Sequence, residues 1–473
     1  MNEQNKTMHG YINIPSKKKR VAYFFEDNIM KIYFNYTLPM EEKQNVTINI
    51  QSKNQWIIGN DIATGKSIIF FVEPTSFEDD RIIPFTQISI RVYFYIVVDC
   101  DLKYFAVNKV GFSFKELNSF FDLNRAIERE ISEDNQYIIK TQPSNKVIKK
   151  FSFTVMEKKV EAEMAIKAFV NRDASQALRL ESVLYCLFKT TYDMEFILDI
   201  YLTIKKLFYF LCYRQSIQIN SIDLFRQDDK GRYLSAGKLF ILFGNESIED
   251  SKIIDKTIQY RLVQNHFEDL IKLIIDEKIY LEHIPIDYEA SKHISNASFI
   301  MDTAAFEWTF KQCYDKIPMA DYKNKIKNDV LNTLENLRTN NEYNSREKKI
   351  IKFYKNIIDR VEMKLAGKIL YALKDLDGVL MEFIKWIYAL NNMSLDEKKV
   401  YNEIAEDLEY QRNAYAHGNI DREMKPNIIT DTVILEWLNY CMVLKMAGFN
   451  ETEIFNIINV VFQRNHEERK CDI

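Results

Sequence analysis

Glycine and proline are scarce, 11 and 8 in 473 residues. So little punctuation excludes collagen-like, glycine-rich-loop and proline-linker architectures and favours long elements, many of them helical. Cysteine is sparse as well. Cys100, Cys186, Cys212, Cys313, Cys441 and Cys471 include no C-x-x-C pair, and their apolar surroundings read as reduced core positions. No apolar run approaches the about 20 residues that span a bilayer: the stretch at 92–98 is short, and Lys205 and Lys206 stand beside the one at 208–213. The polar first 16 residues lack the basic-then-apolar order of a secretory signal. A cytoplasmic protein with no membrane partner is expected. Excess charge is missing too: 64 basic against 68 acidic residues leave −4. A nucleic-acid surface must then come from local clusters of Lys and Arg.

What is present is core. Hydrophobic residues make up 47% and aromatics 13% of the chain, enough for two or three domains. From about 20 to 155, β-branched and aromatic runs read as strands at 21–25, 32–36, 46–50, 67–72 and 88–98. Polar–apolar alternation, as at 46–51, predicts antiparallel sheets with one solvated face. Helical periodicity is read at 176–213 and 255–275, and long amphipathic stretches follow 297, broken at 339–345 and 391–394. Ser394 with Glu397 and Asn450 with Glu453 fit capping boxes, while Gly418 and Gly448 suit helix C-caps. The predicted fold class is α+β and multidomain. A β-rich, sandwich-like region at 1–156 is followed by a mixed segment at 157–296 packed on it and an all-helical region at 297–473.

Most chemical motifs fail on inspection. The segment Gly59 to Ser67 looks like a phosphate-binding loop, yet five residues separate Gly59 from Gly65 where the motif needs four. A strand-like run follows it where a helix N-terminus is required, so a hairpin turn is expected. His9, His266, His283, His293, His417 and His466 form no metal-type pair, and there is no G-x-S-x-G elbow. Neither a metal nor a cofactor is expected.

The informative segment is Leu408-Glu409-Tyr410-Gln411-Arg412-Asn413-Ala414-Tyr415-Ala416-His417-Gly418. Asn413 and His417 are four apart on a helix, so the amide is placed to orient the imidazole. Arg412 lies about 140° round the helix from His417, so convergence needs loosening at Gly418 or a second chain. The plain alternative pairs Arg412 with Glu409 across one turn and leaves His417 and Gly418 as a C-cap.

The Arg412, Asn413, His417 pattern resembles the R-N-x-x-x-H signature of the HEPN superfamily of helical ribonucleases. Phe306-Glu307-Trp308-Thr309-Phe310 is similar to the opening of the helical domain of one branch, the Apea-like proteins of bacterial anti-phage defence. Phe208-Tyr209-Phe210-Leu211-Cys212-Tyr213-Arg214 is similar to the close of that branch's N-terminal domain. The resemblance covers nearly the whole chain. It implies an all-helical HEPN domain and a homodimer formed through it. It also implies metal-independent endoribonuclease activity in abortive infection, with RNA, tRNA included, as substrate and a phage-derived trigger as a further partner. Arg412, Asn413 and His417 match the catalytic positions.

These residue types suit that chemistry. The 2′-OH of RNA attacks the adjacent phosphorus without a metal if a proton acceptor, a proton donor and a phosphate clamp are supplied. Imidazole titrates near neutral pH, and a guanidinium offers a fixed charge with a fork of donors. One His417 per chain gives a reason for dimerisation, two imidazoles dividing the acid and base roles. For an RNA track, residues 346–368 carry eight Lys/Arg against three Asp/Glu, with Lys348, Lys352 and Lys355 on one helical face. The alternative is a catalytically inactive HEPN dimerisation or RNA-binding module. A helical partner of a nucleotidyltransferase toxin fits less well, given the large β-rich region.

Overall fold

The computed structural model describes residues 7–14, 19–34, 56–72, 78–82, 85–123, 127–131, 137–141, 146–170, 178–242, 256–314, 321–340, 343–359, 364–416, 427–464 and 466–470. The chain divides into two compact units, Met1–Asp276 with Ile286–Tyr288, and Glu277–Pro285 with Glu289–Ile473. The first is β-rich and the second helical, so the α+β expectation holds.

In the β-rich unit, β1 (Met8–Ile14), β2 (Lys19–Glu26), β3 (Ile29–Phe34), β4 (Trp56–Asp61), β5 (Ser67–Val72) and β7 (Phe85–Val98) run antiparallel in the order β7-β3-β2-β1-β4-β5. β5 then pairs back onto β7, so the six strands form a closed ring. This corrects the expected sandwich. The reason is the length of β7: its first half pairs with β3 and with β6 (Glu78–Ile82), and its second half with β5 and with β15 (Tyr233–Ile241). Period-two alternation fills the ring, with Val21, Tyr23 and Phe25 of β2, Met30, Ile32 and Phe34 of β3, and Ile68, Phe70 and Val72 of β5 in one core. At Gly10, β1 approaches β4 so closely that an added Cβ would lie 1.8 Å from the Asn60 carbonyl oxygen.

The Gly59 to Ser67 segment is the β4–β5 hairpin, as expected. Asp61 Oδ2 accepts from the Thr64 amide (2.9 Å) and hydroxyl (2.6 Å), and Gly65 takes a φ of 69°.

The sheet continues from β7 through β15, β14 (Ser221–Gln227), β8 (Val107–Phe112), β13 (Leu178–Thr191) and β12 (Lys158–Val170) to β11 (Lys146–Val155). β9 (Ile127–Ile131) and β10 (Tyr137–Thr141) form a separate hairpin. Met156 and Glu157 make the turn between β11 and β12, so the chain crosses that point within one sheet. Residues 178–191, read above as helical, are a strand: Ser182 to Cys186 are all buried, and a strand covered on both faces lacks alternation. The helix starts afterwards, as α2 (Met194–Cys212), with α1 (Lys115–Phe120) before it and α3 (Tyr260–Val263) and α4 (Phe267–Ile275) behind it. Phe114, Phe120, Phe208, Tyr260 and Phe267 pack edge to face around these helices. Where the Phe208–Arg214 stretch ends, Arg214 Nη2 meets Glu116 Oε1 at 2.6 Å, both side chains buried. Burial raises the Glu116 carboxyl above its usual range against the pull of Arg214.

The helical unit holds α5 (Asn296–Cys313), α6 (Asp321–Thr339), α7 (Ser345–Asp359), α8 (Leu365–Asp375), α9 (Asp377–Leu390), α10 (Val400–Ala416), α11 (Ile428–Met446) and α12 (Glu451–Val461). α11 is buried nearly all round and packs on α5, α9, α10 and α12. Asn450 and Glu453 form the expected capping box, and Gly448, with φ 96°, ends α11. Ser394 does not start a helix: Asp396 accepts from the Lys398 amide through Oδ1 and from the Val400 amide through its carbonyl, and α10 begins only there. α6 and α7 pack mainly on each other. The strand expected at 46–50, together with Gly418 and Cys471, lies outside the described residues. Among the described residues no helix is long and apolar enough to cross a membrane.

Candidate active site

α10 owes its position to an apolar stripe. Val400, Tyr401, Ile404, Ala405, Leu408 and Ala414 are buried, and the polar Gln411 is buried among them. This turns the neighbouring Arg412 and Asn413 outward, half-buried and exposed respectively. The Arg412 side chain keeps 38% of its surface. Its Nη2 donates to Glu307 Oε2 (3.3 Å) and its Nη1 to Asn413 Oδ1 (3.3 Å).

Glu307 was not singled out by the sequence as a site residue, yet it organises the site. It projects from α5 between Arg412 of α10 and Lys368 of α8, whose Nζ lies 3.7 Å from Oε1. Three helices therefore meet at one carboxylate, with two cations around it. Phe306 and Phe310, on either side of Glu307, are buried, and Trp308 Nε1 donates to the Lys278 carbonyl (3.1 Å). The stretch that resembles a family signature thus fixes the acidic residue in front of Arg412. Elsewhere on α5, Asp302 is buried with neither carboxylate oxygen hydrogen-bonded among the described residues. Burial, aided by Glu436, pushes its carboxyl far above the usual range.

The local pairing of Arg412 with Glu409 does not form. Glu409 Oε2 accepts instead from the Ala366 amide at 2.8 Å, where α8 starts after Lys364, which caps nothing with its side chain. His417 lies outside the described residues, next after the last turn of α10.

The basic run is resolved into unlike members. Lys355 Nζ is 2.5 Å from Glu335 Oε2 on α6, Lys348 is half-buried and Lys352 is exposed. Glu335 also takes Arg338, and the hydrogen bond from Lys355 leads in holding its carboxyl below the ordinary range. Lys355 is therefore committed to holding α6 to α7. No group of three His, Cys, Asp or Glu among the described residues is placed to hold a metal ion.

Compared with known proteins, the chain matches no family model, no curated protein and no solved structure.

Proposed function

We propose that the chain is a cytoplasmic, metal-independent endoribonuclease of HEPN type acting in anti-phage abortive infection, with RNA, tRNA included, as its substrate. The observation that carries this reading is Arg412: a guanidinium held by an acidic residue of another helix, still partly open to solvent, directly beside Asn413 and five residues before His417. Arg412 faces the scissile phosphate and stabilises the charge that builds on its non-bridging oxygens. His417 handles protons: the 2′-OH loses one as its oxygen bonds to phosphorus, and the 5′-oxygen gains one as its bond to phosphorus breaks. The products are a 2′,3′-cyclic phosphate and a 5′-OH. Asn413, four residues before His417, orients the imidazole. Two chains joined through the helical unit supply two such imidazoles, and the β-rich unit senses a phage-derived trigger or restrains cleavage.

Arg412→Ala tests the reading. Loss of one such donor lowers the cleavage rate by about 100- to 1,000-fold while the chain stays folded. A second reading has its own observation, since Arg412 is already bonded to Glu307 and Asn413 as a structural strut would be. On that reading the chain is an inactive HEPN dimerisation or RNA-binding module, and neither the parent nor the variant cleaves RNA.

A further inference from the structure

The hairpin of α6 and α7 carries a surface that the candidate active site does not use. No described residue of either helix is fully buried, so the described residues of the pair form no core of their own. On α7, Lys348, Ile351, Lys355 and Ile358 are half-buried, on the side whose Lys355 pairs with α6. At 100° per residue, Arg346, Lys349, Ile350 and Phe353 fall on the opposite side, with Tyr354 at one edge of it and Lys352 at the other, next to Lys348 and Lys355. Phe353 is 61% exposed and Tyr354 beside it 54%, their ring centroids 5.8 Å apart. Arg346, Lys349 and Lys352 are exposed, and none pairs with a carboxylate among the described residues.

Such a face has two demands. Large apolar rings in water are unfavourable and mark a contact surface. Cations with no carboxylate partner among the described residues, set beside the rings, argue against an apolar protein partner, since covering the rings would also strip the cations of water. One kind of ligand meets both demands: phosphates for the cations and flat bases for the rings. A duplex stacks its base faces on one another and offers only phosphates. We infer that the outer face of α7 binds single-stranded RNA, with Phe353 and the adjoining Tyr354 stacking on bases and Arg346 and Lys349 on phosphates. The choice of RNA rests on the ribonuclease reading above; the preference for a single strand rests on the rings.

The experiment is fluorescence anisotropy of a labelled single-stranded oligouridylate of about 15 nucleotides with the full chain in EDTA, alongside the same strand annealed to its complement. The chain carries His417→Ala to prevent cleavage. Phe353→Ala with Tyr354→Ala is expected to weaken single-strand binding about tenfold or more and to leave duplex binding alone. Phe353→Tyr, which keeps a ring, binds as the parent does. Arg346→Glu with Lys349→Glu weakens both ligands and flattens their salt dependence. Unchanged single-strand binding in the ring variant overturns the inference. So does a ring variant that turns a dimer into a monomer by light scattering at unchanged affinity, because the face would then join two copies of the chain. A chain that binds through α7 but cuts nothing keeps this inference and loses the nuclease reading. A chain that cuts RNA while both variants bind normally does the reverse.

Discussion

Arg412 on α10 reaches Glu307 on α5, 105 positions earlier, with Nη2 3.3 Å from Oε2. Each side chain keeps about a third of its surface in water, so the pair adds little to stability. What it does is geometric. With Lys368 on the other carboxylate oxygen, it fixes the guanidinium relative to three helices.

Glu307→Gln therefore separates position from stability. Unfolding is expected to shift by less than about 1 kcal/mol, whereas kcat for RNA cleavage falls by about tenfold with KM little changed. Denaturant melts and steady-state kinetics on one preparation check this. Activity lost only in step with stability would contradict a positioning role.

Glu409 has a different task, capping α8 from a neighbouring helix. Glu409→Ala removes the acceptor for the Ala366 amide and should cost about 1 kcal/mol. Cleavage per folded molecule should stay at the parent's level. An activity loss at unchanged stability would show that Glu409 belongs to the site.

The buried pair of the β-rich unit predicts a larger effect. Arg214→Ala leaves the Glu116 carboxylate buried without a counter-charge and should cost about 3–5 kcal/mol. Arg214→Met with Glu116→Leu should recover most of it. A double variant as unstable as the single one would mean that packing, and not charge, dominates there.

His283 gives the helical unit a pH dependence. It is buried with Nε2 3.1 Å from Asn439 Nδ2, and burial pushes its imidazole down to about 4. The unfolded chain, with a value near 6.5, takes up a proton that the folded chain refuses between those values. Its stabilisation is thus present above pH 6.5 and lost as pH falls towards 4, about 2 kcal/mol of it by pH 5. His283→Gln should flatten the melting profile over that window, and an unchanged slope would place the pH sensitivity elsewhere.

What was legible in the sequence follows the range of the interactions. The β4–β5 hairpin and the Asn450 capping box depend on neighbours in the chain, and local spacing is enough to place them. The closure of β5 onto β7 and the burial of Ser182 to Cys186 on both faces depend on distant strands, which periodicity does not report. The site divides in the same way. Arg412 and Asn413 stand out by local pattern, while their organising partner Glu307 looks like any exposed helix residue until α5 and α10 meet. Lys348, Lys352 and Lys355 share a helical face, but Lys355 is paired with Glu335, and the exposed cations beside the rings, with no carboxylate partner among the described residues, are Arg346 and Lys349.

The most direct measurement is end chemistry. Purified wild type and His417→Ala are incubated with total cellular RNA in EDTA, in the presence and absence of infected-cell extract, and fragment termini are identified. Discrete wild-type fragments ending in 2′,3′-cyclic phosphate and 5′-OH, absent with the variant, are the predicted result. Fragments with any other ends, fragments that persist in the variant, or no cleavage under either condition would contradict it.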